Sequence, residues 1–416
     1  MSALHLRPQL RLRRSLRVQR AEARLNPDQA PSGVSPAPDG LLKDRTMHSP
    51  IFFRGTLLLA LASAATFQPP AVAGVPPSAE ATASPTLSVP PAKAGRARPL
   101  IVVVADKGGA QTTDFIVPYG VLKASGVADV RSLSTRGGPI EMTRGLRIVA
   151  DETIAQFDAR EESGADIVIV PAQAKPSSPA LLKWVRDQAA KGATIIAVCE
   201  GARVLASAGL LDGKRAVTHW ASLNDMAKSH PTTMWVRDRR YVQDGSIITT
   251  AGVTASIPMS LALVEAIGGR PAAEDTARRF GAKHWGPSHK TAGFEITKAD
   301  RTAAAQAARA KRETTEIPID DNVDEVSLAL QAEAWGRSMR TTVKTTRPGR
   351  SPVRSRNGLV ILPDAESKAG SHVVPAATLP AVPALAETLA QMGSRYGPSA
   401  PRFAVLAMEY DGQEAE

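Results

Sequence analysis

Two kinds of apolar run alternate along the central part of the chain. Residues 99–105 and 165–171 are short, unbroken stretches rich in Val and Ile and bounded by Asp, Gly or Pro, the pattern of strands buried on both faces. Residues 114–124 place Phe115, Val117, Val121 and Leu122 toward the interior, and residues 178–191 do the same with Leu181, Leu182, Val185 and Ala189, as amphipathic helices would. Residues 127–134 and 146–150 read as two more strands, and 241–249 as a hairpin around Asp244-Gly245. Residues 256–267 read as a helix closed by Gly268 and Gly269. Strands alternating with helices imply right-handed crossovers and a parallel sheet covered on both sides. A site in such a sheet lies at the carboxyl ends of its strands, where Cys199, Asp114, Gly108 and Gly109 would gather.

One stretch organises the rest. Residues 193–198 form an Ile/Val-rich run that breaks at Cys199-Glu200-Gly201 and passes at once into an Ala/Leu/Val segment of helical spacing. The A-x-C-x-G pattern is the cysteine counterpart of the nucleophile elbow, with Gly201 allowing close helix approach. A helix N-terminus favours a thiolate, so the spacing predicts a lowered Cys199 pKa and amides able to receive an oxyanion. The plainer reading is a small buried hydrophobe, the usual lot of a free cysteine.

The flanks change the picture in three ways. The net charge of +11 is concentrated outside the predicted core, with seven arginines in the first 24 residues and more basic residues at 337–356, so it argues little for nucleic-acid binding. A single cysteine excludes an internal disulfide. Residues 1–46 read as disordered and 47–73 as a signal peptide, with a basic flank, an apolar run too short to span a bilayer and an Ala71-Val72-Ala73 site. Translation is expected to start at Met47 and the product to be exported to the periplasm or secreted; an uncleaved N-terminal anchor is the alternative. Residues 74–97 read as a linker.

The domain proper is expected over 98–270, followed by a helical connector at 271–320 and a small α/β extension at 321–416. In the extension, 326–330, 339–344 and 403–409 read as strands and 383–396 as a helix. Residues 355–364 echo 144–151, so the extension is either a degenerate second α/β unit without an elbow or a decorating or dimerisation element. No metal spacing, phosphate loop or nucleotide fingerprint is present, so no cofactor is expected.

Cys199-Glu-Gly-Ala, Ala208-Gly-Leu-Leu-Asp-Gly, Thr218-His-Trp, Tyr241-Val-Gln-Asp-Gly and Thr250-Ala-Gly-Val-Thr, in this order, resemble the DJ-1/PfpI superfamily, and within it the isocyanide hydratases and the amidase-like sensor domains of AraC-type regulators. The resemblance implies a flavodoxin-like fold and a homodimer. It implies Cys199 as nucleophile and Asp114 as the acid beside it; Glu200, Gly201 and Gly109 are anion-pocket candidates by position alone. His219 matches a histidine near the site in DJ-1, or is a packed residue bonded to backbone. Glu200 stands where PfpI-type proteases carry His, which disfavours proteolysis, and Pro258 stands where relatives often carry Asp. The expected chemistry is cysteine-dependent hydrolysis or hydration of a small amide, aldehyde or isocyanide. The alternative is a ligand-binding or thiol redox-sensing module. No helix-turn-helix follows the domain, so nucleic acid is not an expected partner.

Overall fold

The computed structural model describes residues 87–367 and 371–412. The expected disordered region and signal peptide, and the linker up to residue 86, lie outside the described residues. In chain order the first half comprises β1 (Leu100–Ala105), α1 (Thr112–Ser125), β2 (Asp129–Ser134), β3 (Ile140–Glu141), β4 (Arg147–Val149), β5 (Glu152–Thr153), α2 (Ile154–Arg160), β6 (Ile167–Val170), α3 (Pro179–Ala190), β7 (Thr194–Ala197) and α4 (Gly201–Ser207). It continues through β8 (Arg215–Ala216), α5 (Leu223–Ser229), β9 (Met234–Trp235), β10 (Tyr241–Asp244), β11 (Ile247–Thr250) and α6 (Ser256–Phe280). The seven-stranded sheet has the order β10-β11-β7-β6-β1-β2-β5 and is parallel except for the β10–β11 hairpin. This is the parallel α/β sheet the strand and helix order implied, in the flavodoxin-like form the family resemblance implied.

Alternation along the central strands builds both layers. Leu100, Val102 and Val104 of β1 face the α3 and α4 layer, while Ile101, Val103 and Ala105 face α1 and α6. On β7, Ile195 and Ala197 take the first face and Ile196 the second. Helix α1 is buried at every residue from Thr112 to Leu122, because a second layer covers the side turned away from the sheet.

That layer is the second half: α7 (Lys298–Arg309), β12 (Glu313–Pro318), α8 (Glu325–Arg337), β13 (Thr341–Thr346), β14 (Val353–Arg354), β15 (Val360–Ile361), β16 (His372–Val373), α9 (Ala381–Tyr396) and α10 (Ser399–Met408). A three-stranded parallel sheet, β13-β12-β16, lies here, and β14-β15 joins β4-β3 in a four-stranded sheet shared by both halves. The same apolar cluster runs from Ile101 and Phe115 to Trp335, Leu385 and Met392.

Several elements differ from their sequence reading. Residues 326–330, read as a strand, begin α8, where Asp324 accepts from the Ser327 N–H at 2.8 Å as N-cap. Residues 403–409, also read as a strand, lie in α10, which ends at Met408. Both are short apolar runs whose periodicity does not separate strand from buried helix. Helix α6 passes Gly269, which takes φ 82° and ψ 168° at a kink, and resumes through Pro271 to Phe280. β12 starts at Glu313, inside the segment read as helical connector. The strap from Leu87 is tied down rather than loose: Arg96 pairs with Asp166 and Glu161, and Ser88 donates its N–H to Gln243.

Candidate active site

Cys199 follows β7 and precedes α4, at the carboxyl end of the sheet. Its φ of 57° lies in the left-handed region, which costs a non-glycine residue about 1–3 kcal/mol and persists only when its surroundings hold it there. Two threonines hold it. Thr250 Oγ1 accepts from the Cys199 N–H at 3.0 Å, and the Thr218 hydroxyl donates to the Cys199 carbonyl at 3.1 Å. Gly201 then lets α4 approach β6, since a Cβ there would stand 2.1 Å from the Val170 carbonyl oxygen.

Asp114, in the first turn of α1, is fully buried. Its Oδ2 accepts from the Ala172 N–H at 3.2 Å, while its Oδ1 has no hydrogen-bond partner among the described residues. Burial, and after it the negative charge of Glu333, pushes the Asp114 carboxyl well above the usual range; the Ala172 amide and Arg337 oppose this. Cys199 behaves alike. Burial first, then the charges of Asp114 and Glu200, push the thiol up, and the Glu200 N–H only partly offsets them.

The direction is opposite to the lowered Cys199 pKa that the spacing predicts. The amide at the start of α4 acts in the anticipated direction, but removing a sulfur from water beside three carboxylates (Asp114, Glu200 and Glu409) outweighs it. Burial thus biases both groups toward their uncharged forms, the thiol and the carboxylic acid.

The other expected site residues are placed as follows. Glu200 turns its carboxylate to Arg203 at 3.1 Å and to the Ser222 hydroxyl. Burial works against its charge, yet Ser222, His219 and Arg203 prevail and hold its pKa below the ordinary value. The Gly201 N–H donates to the Val198 carbonyl and the Gly109 N–H to the Asp106 carbonyl, so both amides are engaged by backbone. A Cβ at Gly109, whose φ is 113°, would meet the Glu141 carbonyl oxygen at 2.5 Å. His219 Nδ1 accepts from the Ala221 N–H, and its Nε2 lies 3.3 Å from the Ala407 carbonyl oxygen. Sequence reading assigned no role to Thr250 or Thr218, although both stand in the quoted motifs, and had no local signal for Glu333 or Arg337. Among the described residues no cluster of His, Cys, Asp or Glu fits a metal ion.

The DJ-1/PfpI family profile matches residues 100–266. Isonitrile hydratase of Pseudomonas putida is 33% identical over 165 residues, covering 38% of this chain and 68% of that protein. The chain belongs to the DJ-1/PfpI family. The HTH-type transcriptional regulator CdhR of Pseudomonas aeruginosa is also 33% identical, over 151 residues, 36% of this chain and 43% of the regulator. The match thus spans under half of that relative. Among solved structures, Drosophila melanogaster DJ-1beta shares 24% identity at a TM-score of 0.39, covering 44% of this chain and 96% of that one.

Proposed function

We propose that the chain is a cysteine-dependent hydratase or hydrolase of a small electrophile, with Cys199 as nucleophile and Asp114 as proton relay. The observation that carries the reading is the strained φ of 57° at a cysteine whose weightiest charged neighbour is a buried carboxyl. Burial that favours the uncharged form of both groups suits addition without net charge in a site that penalises ions. For an isonitrile, the class named by the Pseudomonas putida relative, sulfur bonds to the terminal carbon while the thiol hydrogen, relayed through Asp114, ends on that carbon. Water adds to the resulting thioimidate, the S–C bond breaks with a proton returned to sulfur, and a formamide leaves. The Glu200 N–H faces the sulfur and steadies negative charge as it develops.

A panel of isonitriles, aldehydes and amides, followed by product formation and by intact mass for a Cys199 adduct, tests this. Cys199→Ala is expected to lose about a hundredfold or more of any activity found. Undiminished turnover in that variant ends the proposal. Its second reading, a ligand-binding or redox-sensing module, draws its ligand-binding form from burial pushing the Cys199 thiol up, a direction that weighs against redox sensing; it predicts ligand-induced thermal stabilisation with no turnover by the parent. The basic flank, apolar run and Ala-x-Ala site support export, and an exported product whose mass begins near Gly74 tests that.

A further inference from the structure

Residues 313–364 repeat the elements of 100–151 at a constant interval. Leu100 and Glu313 open β1 and β12, Thr112 and Glu325 open α1 and α8, Ile140 and Val353 open β3 and β14, and Arg147 and Val360 open β4 and β15, each pair 213 positions apart. Hydrogen bonds repeat with the spacing. Asp151 Oδ2 accepts from the N–H and hydroxyl of Ser132, both at 2.8 Å, and Asp364 Oδ2 accepts from the N–H and hydroxyl of Thr345 at 2.9 and 3.2 Å. Left-handed glycines, Gly145 at φ 88° and Gly358 at 94°, turn the two hairpins. β12 lies between β13 and β16 as β1 lies between β2 and β6, and α8 packs on α9 as α1 packs on α6.

The copies meet about a local two-fold axis. β4 and β15 run antiparallel with Ile148 opposite Ile361, its own counterpart, and a residue facing its equivalent is the signature of an isologous contact. Helices α1 and α8 pack together. The second copy departs where chemistry would be: Ser327 stands at the position of Asp114, and the chain passes from β16 to α9 without a cysteine elbow.

We propose that residues 313–364 are a second, elbow-less copy of 100–151 seated where the partner of a two-fold dimer would sit, and that its Glu333 and Arg337 are positioning residues for the Cys199–Asp114 pair. The link is direct. Gln111, adjacent to α1, donates its Nε2 to Glu333 Oε1 at 2.5 Å, and Arg337 Nε lies 2.6 Å from the same oxygen. Glu333 is fully buried with its Oε2 unpartnered among the described residues, like Asp114 Oδ1, while the Arg337 side chain is 20% exposed. Gly336 admits Arg144 of the first copy, since a Cβ there would stand 2.8 Å from the Arg144 Cβ. The charged groups facing Cys199 are Asp114 from α1, Glu200 from the elbow, Glu409 beyond α10 and Arg337 from α8; those facing Asp114 are Glu333, Arg337 and Glu200.

The inference rests on Cys199 being the reactive group, but its test reads the thiol and not turnover, so failure of one is distinguishable from failure of the other. Because the chain has one cysteine, thiolate absorbance is measured by difference from the same variant carrying Cys199→Ala. Glu333→Gln, leaving Arg337 unopposed, is expected to increase the thiolate fraction at a given pH about threefold or more; Arg337→Met is expected to decrease it by a similar factor, and Arg337→Lys to restore it. A merely structural role moves both single variants in one direction, and that result, or no movement, overturns the proposal. Should either charge variant fail to fold, Gln111→Leu keeps both charges and removes only the donor that screens Glu333. It is expected to lower the thiolate fraction, and an unchanged titration there overturns the proposal.

Discussion

At the scale of single residues, the site stores cost in two places. Cys199 holds a left-handed backbone, and Asp114 is buried with one oxygen unpaired. Because the folded-state pKa of Asp114 lies above its unfolded value, the native chain binds more protons than the unfolded chain once pH exceeds the ordinary carboxylate range, so stability falls as pH rises through that window. Asp114→Asn removes this penalty while keeping the shape. Thermal unfolding at pH 5 and pH 8 is expected to show the variant stabilised over the parent by about 1 kcal/mol or more at pH 8, with a smaller gain at pH 5. An equal or opposite effect at the two pH values would show that the acid is ionised in the fold. The elbow at Cys199 was legible because an Ile/Val run broken by Cys199-Glu200-Gly201 is a local pattern. The upward shift of its thiol was not, because Asp114 and Glu409 reach it from distant parts of the chain.

At the scale of elements, α10 and the residues after it are clamped to the elbow region. Glu409 Oε2 accepts from the Gly252 N–H at 2.7 Å and the Trp220 N–H at 3.1 Å, while His289 Nε2 lies 2.9 Å from Glu409 Oε1 and its Nδ1 lies 3.1 Å from Asp411 Oδ2. Burial alone would lower the His289 pKa, but the two carboxylates raise it to about 9 from 6.5. The linked stability is therefore fully present below pH 6.5 and lost as pH rises toward 9. The parent is expected to lose of the order of 2 kcal/mol across that range and His289→Gln to lose little of it, as read by urea unfolding at each pH. Identical pH slopes in the two would discard the clamp. Helix α10 itself escaped sequence reading because Phe403 to Met408 is too short and too apolar for its period to speak.

At the scale of the whole molecule, the second half is structural to the first. α1 is buried from Thr112 to Leu122, and Gly120 lies so close to α8 that a Cβ there would meet Val326 Cγ2 at 2.4 Å. A chain ending at residue 310 uncovers that face, and losing several side chains' burial at about 1.5–3 kcal/mol each exceeds the usual margin of 5–15 kcal/mol. It is expected to aggregate or to unfold without cooperativity in urea; a soluble, cooperatively unfolding fragment would reduce the second half to decoration. The sequence by itself determined the alternation of buried strands and helices, the elbow at Cys199 and the echo of 144–151 in 355–364, since periodicity, turn chemistry and repetition are properties of neighbouring residues. Only the tertiary structure decided that the thiol pKa is pushed up, that Glu333 acts on Asp114 and Arg337 on both Asp114 and Cys199, and that α1 is covered by its own counterpart, because desolvation and charge proximity depend on segments far apart in the chain being packed together.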